Sequence, residues 1–483
     1  MRVSEGSKLA SCAQLGAVLL IIAASIGGPG QASAQTLPAA LVHAYQNNPQ
    51  LNAQRAQVRV TDEAVPQALS GYRPRLSVTA SAARSYSSTT SRSSVPSLED
   101  PSRLVVVPPE RTLAGEFTPY TLGVTGTQTL FNGFQTANRT RLAEGQVSAA
   151  REALRVMEQT VLLAAATVYM DLLRDTAIAD VQRSNVRVLN ETLRQTRDRF
   201  NVGEVTRTDV AQSEAQLAAG QFQLSNAEAN LTTTRANFRR VIGIEAGALT
   251  PAAPVERLAP RTLAAALQIG LDANPNVTSA MYGIDVANLQ VKINEGALFP
   301  TVTLNGSAQR LWDSSLTQVE QTTWSIGSSV TIPIYQGGGE YSLIRQSKES
   351  LTQQRLNLEQ VRDQTRQSIA QAWGVVQATK AQIESAQAQV RSSETALNGV
   401  REEARVGQRT TLDVLNAQQA LVNARVTLVT AQRDRVVASY NLLNAIGILS
   451  PLTLGLATPI YDPRIHYHQV RDSWVGLRTP DGK

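Results

Sequence analysis

The residues best able to do chemistry in this chain sit in two matching tetrads, Thr206-x-x-Asp209 and Thr410-x-x-Asp413. A threonine followed three residues later by a carboxylate has the form of a helix capping box, in which hydroxyl and carboxylate satisfy backbone N–H groups. That local role accounts for both aspartates. It does not account for Arg409, whose counterpart beside the other tetrad is Val205. Elsewhere the inventory is poor. His466-x-His468 has a spacing that holds metal on a strand, but His43 is the one other histidine and the single cysteine is Cys12. A solvated tail without metal is therefore expected at 450–483. Gly337-Gly338-Gly339 lacks the Lys-Ser/Thr of a phosphate loop, and no nucleophile stands beside a base. No catalytic residue and no cofactor is expected, so the chain does not read as an enzyme.

Composition narrows the class. The 483 residues carry 45 Lys+Arg against 39 Asp+Glu, a net charge of +6, with no basic tract to ask for nucleic acid. Aromatics are only 5% and charged residues 17%, too few large side chains for a set of ordinary globular cores. At 42% hydrophobic the chain also lies outside the disordered regime. Residues 1–34 read as a cleaved signal peptide. Arg2 and Lys8 precede the apolar run Leu15 to Ile26, and Ala32-Ser33-Ala34 closes it. Cys12 leaves with that segment, so the exported chain has no thiol or disulfide. Beyond it the longest apolar stretch is Val161 to Met170, short of the ~20 residues of a spanning helix.

The rest of the chain is written twice. Thr36-Leu37-Pro38 and Asn48-Pro49 return at Thr262-Leu263-Ala264 and Asn274-Pro275, an offset of 226. Further on the offset is 204, matching Gly133 to Gly337, Gly203 to Gly407, Asp209 to Asp413 and Gly243 to Gly447. The difference of 22 residues falls between Tyr86 and Tyr120, where a Ser/Pro-rich loop is expected. This is a duplication: a first repeat at 35–245, a linker at 246–261, a second repeat at 262–449, and the tail.

Each repeat reads as helices, two strands, a very long helix and a shorter return helix. The long helices are expected at about 137–201 and 341–406, roughly 100 Å each at 1.5 Å per residue. The return helices, about 206–242 and 410–446, show a seven-residue beat: Val210, Leu217, Leu224, Leu231, Phe238, and Val414, Leu421, Leu428, Arg435, Leu442. Such a beat supercoils helices left-handedly. Faces rich in Ala, Ser, Gln and Asn suit a hollow wall, although a closed coiled coil has the same beat.

Strands are expected at about 74–86, 118–131, 300–312 and 323–335. Leu76, Val78, Ala80 and Ala82 alternate with Ser77, Thr79 and Ser81, and Ile326 and Val330 alternate with Ser325, Ser329 and Thr331. That two-residue period fits an outer-membrane barrel, with a soluble β-sandwich as the alternative. Aromatic pairs bracket each strand: Tyr72/Tyr86, Tyr120/Phe131, Phe299/Trp312 and Trp324/Tyr335. At ~3.3 Å per residue and ~40° tilt they stand about 28–35 Å apart, enough for girdles around a ~25 Å apolar band. Four strands cannot close a barrel, so copies must share one. Two would give a filled barrel of eight strands, three a barrel of twelve with a lumen.

With these elements in place, the chain resembles the TolC family of outer-membrane channel-tunnels over the mature length to about Leu449. The motifs are Ile332-Pro333-Ile334-Tyr335-Gln336-Gly337-Gly338 at a strand-to-helix junction, Arg199-Phe200-Asn201-Val202-Gly203 leading to Thr208-Asp209-Val210, and Val406-Gly407-Gln408-Arg409-Thr410 leading to Asp413-Val414-Leu415. The resemblance implies an α+β membrane protein, a homotrimer with a 12-stranded barrel in the outer membrane and an α-helical tunnel across the periplasm. It implies an exit duct for small-molecule efflux or type I protein secretion. The partners would be a periplasmic adaptor and an inner-membrane pump or ABC exporter. The competing reading is a non-channel structural protein, a coiled-coil stalk or an adaptor-like hairpin.

Residue roles follow from the resemblance alone. The tips Val202-Gly203 and Val406-Gly407 are where family members meet the adaptor, beyond the plain role of glycine in ending a helix. Gly133, Pro333, Gly337 and Gly338 form the strand-to-helix junctions. Asp209 and Arg409, with Thr208 beside them, match positions linked to hold the tunnel mouth closed, and Asp413 matches a ring of carboxylates at its narrowest point. Two departures weaken that gate: the family's second aspartate is Asn416 here, and its network tyrosine falls at Ala404.

Overall fold

The computed structural model describes residues 35–97, 102, 104–480 and 482, so the expected leader, with Cys12, lies outside the described residues. The first repeat opens with α1 (Leu37–Asn47), α2 (Pro49–Asp62) and α3 (Ala64–Leu69). Strands β1 (Arg75–Ala82), β2 (Ser85–Pro96), β3 (Leu104–Phe117) and β4 (Tyr120–Asn132) follow, then α4 (Gln135–Asn201) and α5 (Arg207–Ile242). The second repeat is α6 (Leu263–Ala273), α7 (Pro275–Gly296), β5 (Thr301–Ser315), β6 (Gln318–Thr331), α8 (Gly339–Arg405) and α9 (Thr411–Ile446). A last helix, α10 (Arg464–Val470), lies in the tail.

Local chemistry explains the boundaries. Thr36 and Thr262 cap α1 and α6 by accepting the N–H of Ala39 and Ala265. With no proline inside them, α4 and α8 each run for 67 residues, about 100 Å. Pro66 has no N–H to return to the carbonyl of Asp62, and the helix breaks there into α2 and α3. Its counterpart α7 has no proline after its first residue and continues unbroken for 22 residues. The Asn-Pro motif splices helices end to end. Asn48 Oδ1 accepts the N–H of Gln50 and Leu51 at the start of α2, while its Nδ2 donates to Val241 O at the end of α5. Asn274 does the same between α7 and α9, accepting from Asn276 and donating to Ala445 O.

The four expected strands form one antiparallel sheet in the order β1-β4-β5-β6. Its register keeps the two faces apart. Val78 stands opposite Val124, Val124 opposite Ala308, and Ala308 opposite Trp324. On the other face Ser77 pairs with Thr125 at 2.6 Å, Ser307 with Ser325 at 2.7 Å and Thr303 with Ser329 at 2.7 Å. A one-residue slip on any strand would mix these rows. Tyr120 and Trp312 are direct partners at the outer rim, where Arg310 pairs with Glu320, but Trp324 stands lower, opposite Ala308.

The expected loop between Tyr86 and Tyr120 is instead a second sheet, the β2–β3 hairpin. Ala83 N–H donates to Pro119 O, which links this ribbon to the β1–β4 ladder. Ion pairs Arg84–Glu116 and Arg92–Glu110 fasten it across the strands. The serine- and threonine-rich β2 offers no alternating apolar row, and Pro108-Pro109 interrupts β3, so neither has the pattern of a strand. Tyr86 accordingly lies in the ribbon rather than at the rim of the four-stranded sheet.

The core sits around the middle of α4. Tyr169 and Phe238 are fully buried with ring centroids 6.4 Å apart, among residues of α1, α2, α5 and α9. By length and hydropathy α4 could cross a membrane, but its apolar run, Val161, Leu162, Ala165, Ala166 and Met170, is packed in this core. Arg435, the one break in the heptad beat, pairs with Glu256 of the linker at 3.0 Å.

The tail is not wholly solvated as expected. His466 and Val470 of α10 are buried, and His466 Nδ1 lies 3.0 Å from Asp62 Oδ2 at the α2–α3 break. Burial pushes the Asp62 carboxyl up, against the hydrogen bond from His466 and the nearby Arg151. Arg151 also stacks on Tyr467, and Arg73 on Trp474, so the segment is fastened along the first repeat. His468 is exposed, and no metal-holding cluster exists among the described residues.

Candidate functional site: the hairpin tips and the strand-to-helix junctions

The α4–α5 and α8–α9 hairpins end in turns of the same build. Gly203 and Gly407 take φ of +81° and +79°, conformations that side chains resist, and each lies open with no atom near a would-be Cβ. Beside them Val202 and Val406 are 78% and 71% exposed, an unusual placement for valine at both tips.

Both capping boxes form. Asp209 Oδ2 accepts the Thr206 N–H at 2.9 Å and its hydroxyl at 2.7 Å, while Asp209 N–H donates to Thr206 Oγ1. Asp413 repeats this with Thr410 at 3.0 and 2.9 Å. The threonine hydroxyl and N–H hold the Asp209 carboxyl below the usual carboxylate range, and the Thr410 N–H and hydroxyl do the same for Asp413. Thr208 is exposed on the first turn of α5.

The structure does not bring Asp209 and Arg409 together within one chain. Arg409 Nε instead donates to Glu403 Oε2 at 2.8 Å. That bond holds the guanidinium in its charged form, with Asp413 close enough to add to the effect. In the first repeat the corresponding clip is Arg199 to Glu204 at 2.6 Å. Ala404 is half-buried and Asn416 exposed, so neither supplies the missing carboxylate or phenol.

Above the tips a polar relay crosses three helices. Arg401 of α8 donates to Gln418 of α9 at 3.1 Å, and Gln418 donates to Asn185 of α4 at 3.3 Å. Asn185 and Gln418 are buried, as few amides are. Gln216 of α5 reaches Gln419 of α9 at 3.2 Å on the same level. Sequence reasoning missed this relay, and the signal available for it was an amide in place of an apolar residue on a helix that is otherwise buried at that level.

The junctions differ between repeats. At Gly133 (φ +62°) a Cβ would stand 2.2 Å from the Gly296 carbonyl oxygen, and Phe134 after it is also left-handed. Gly296 was not singled out from the sequence. Gly337 and Gly338 take φ of +76° and +82° in open space. Pro333 follows the end of β6, where it cannot disturb a ladder, and Ile332, Ile334 and Tyr335 around it are 62%, 91% and 75% exposed.

A family model described as outer membrane efflux protein matches residues 40–244 and 266–448, once for each repeat. The chain is similar to the outer membrane efflux protein BepC of Brucella suis biovar 1 (strain 1330), 40% identical over 474 residues, 98% of each chain. It is also similar to outer membrane protein TolC of Escherichia coli (strain K12), 26% identical over 308 residues, 61% of this chain and 62% of TolC. Among solved structures, the Campylobacter jejuni CmeC outer membrane channel matches with a TM-score of 0.72 at 17% identity, over 90% of this chain and 89% of that one.

Proposed function

This chain belongs to the outer membrane efflux protein family and is an outer-membrane exit duct of the channel-tunnel type, and from that premise we propose how the duct is assembled, closed and connected. Three copies share one barrel, β1 of each pairing with β6 of the next. The observation that carries this is the sheet itself: its faces are sorted into apolar and hydroxyl rows, while β1 and β6 each leave one edge unpaired. An open edge in lipid costs several kcal/mol per unpaired group, so a neighbour must cover it. Twelve strands leave a lumen, lined by the Thr/Ser rows.

The exposed valines and open glycines at 202–203 and 406–407 are the surface offered to a periplasmic adaptor, which in turn links the duct to an inner-membrane pump or ABC exporter. The relative with 98% coverage is named for efflux, so small-molecule efflux is the cargo to test first and type I protein secretion the second. The mouth is held by Asp209, Thr208 and Arg409, and ringed by three Asp413 carboxylates that favour cations. The family role is transport, and no catalytic part is assigned to any residue.

The test has two parts. Mass measurement of the purified protein in mild detergent is expected to give a trimer, and a monomer would overturn the assembly. Planar-bilayer recording is expected to show conductance that rises in Asp209→Ala and Arg409→Ala, and weaker cation selectivity with an unopened pore in Asp413→Asn. No conductance steps at all would return the stalk or adaptor reading. An unchanged reversal potential in Asp413→Asn would leave that residue only its cap.

A further inference from the structure

We infer that Glu403 competes with Asp209 for the Arg409 guanidinium, so that the tunnel mouth opens by an exchange of partners across the α8–α9 turn. The inference rests on the gate reading above and assigns a role to a residue outside it.

The two hairpin tips correspond position by position at an offset of 204, with the same capping box and the same left-handed glycine. Their charges do not follow that symmetry. Position 199 is arginine in the first repeat, and its counterpart, 403, is glutamate. Position 205 is valine, and its counterpart, 409, is arginine. The second tip therefore has a cation just ahead of the cap and a carboxylate on the last turn of α8 placed to receive it. The bond between them is well formed, at 2.8 Å.

Each group has a defined set of charged neighbours. Arg409 faces Glu403 and Asp413. Asp209 faces Arg199, which is itself engaged by Glu204. Asp209 commits Oδ2 to Thr206, and among the described residues no hydrogen bond engages its Oδ1. That oxygen is available to Arg409. Asp413 holds the Thr410 cap through Oδ2 in the same way, and among the described residues no hydrogen bond joins it to Arg409. Among the described residues the Glu403 side chain bonds Arg409 alone.

Both side chains of the Glu403–Arg409 pair stay about half exposed, at 46% and 52%. Exposed pairs of this kind contribute little, so neither carboxylate can hold the guanidinium decisively. A near balance is what a two-state latch requires, because a weak bias from a docked partner can then tip it.

The experiment is single-channel recording of the full-length trimer in planar bilayers, comparing wild type with Glu403→Gln, Glu403→Asp, Asp209→Ala, Arg409→Ala and the double variant Glu403→Gln/Arg409→Ala. Glu403→Gln removes the competing charge with little change of shape. It is expected to lower open probability several-fold, whereas Asp209→Ala and Arg409→Ala raise it. Glu403→Asp is expected to stay near wild type, and the double variant to match Arg409→Ala alone. A merely structural clip would loosen the turn when broken, so an unchanged or raised open probability in Glu403→Gln overturns the exchange while the gate stands. If Asp209→Ala and Arg409→Ala both record as wild type, the gate reading falls and the exchange falls with it. Trimer yield for each variant separates gating from failure to assemble.

Discussion

The two repeats have helices of identical length at a constant offset, α4 with α8 and α5 with α9, yet they are packed in opposite ways. In the first repeat the long helix is enclosed, by α1, α2 and α5 of its own repeat and by α9 of the other. Tyr169 is fully buried and donates its hydroxyl to backbone oxygens of the Gln35 and Thr250 region, and Gly133 wedges against Gly296. In the second, the residue at the same place as Tyr169 is Trp373, only half-buried against a smaller cluster around Ile369, Val376 and Leu442. Gly337 and Gly338 touch nothing, and β6 is exposed along its length. Duplication gave one long helix, α4, that elements of both repeats enclose, and one, α8, with a barer flank. A symmetric sequence pattern thus encodes an asymmetric set of contacts.

The largest expected effect sets the two junctions against each other. Gly133→Ala would place a methyl 2.2 Å from a backbone oxygen that cannot step aside, and at a positive φ. Left-handed strain costs roughly 1–2 kcal/mol and overpacking roughly 1–3 more. Together these are a large part of a typical stability of about 5–15 kcal/mol. Gly338→Ala carries the strain alone, since its surroundings are open. Trimer recovered from outer-membrane fractions is expected to collapse in Gly133→Ala and to fall modestly in Gly338→Ala. Equal losses would mean that the second junction is as tightly covered in the assembly as the first is within the chain.

A middle-sized effect tests where the repeats agree. Asn48 and Asn274 each cap one helix and reach back to another. Replacing a capping asparagine with alanine costs about 0.5–2 kcal/mol. Asn48→Ala is expected to cost more, because Asn48 accepts two N–H groups where Asn274 accepts one. Thermal unfolding of the detergent-solubilised protein reads both, and a larger loss for Asn274→Ala would place more weight on the second repeat's splice.

What was legible in the sequence follows the same division. Periodicity marked the long helices within two residues and the apolar and hydroxyl rows of four strands, because each has an apolar row repeating at 3.6, 3.5 or 2 residues, although the fourth strand runs over Gln318–Thr331 rather than about 323–335. Asn48-Pro49 and Asn274-Pro275 were visible as repeat marks, but a splice joins residues about 190 and 170 positions apart and leaves no local pattern. The β2–β3 ribbon was hidden because β2 is mostly serine and threonine and Pro108-Pro109 interrupts the apolar run of β3. His466 was misjudged for a related reason: a buried histidine is recognisable only with its partner, and Asp62 lies 404 residues away. At the mouth, the capping boxes were legible because they are local. Glu403 was not, since its meaning depends on the charge reversal between tips, which a comparison of positions 199 and 403 would have exposed.

The smallest expected effect concerns the caps, where the two repeats should be indistinguishable. Asp209 and Asp413 both have carboxyls held below the ordinary range by their threonine partners. A depressed pKa in the folded state means that the cap contributes fully above the unfolded value, about 3.9 for aspartate. The contribution is lost only as pH falls through the lower, folded value. Acidification from pH 7 to pH 5 should therefore leave both first turns ordered. Amide hydrogen exchange along α5 and α9, corrected for intrinsic rates, is expected to show unchanged protection over that interval, with Asp209→Asn and Asp413→Asn losing protection equally at pH 7. Loss near pH 5 at one tip alone would show that its aspartate is not held by the cap but by a partner that titrates there. That result would extend the asymmetry of the repeats from their packing to the mouth of the tunnel.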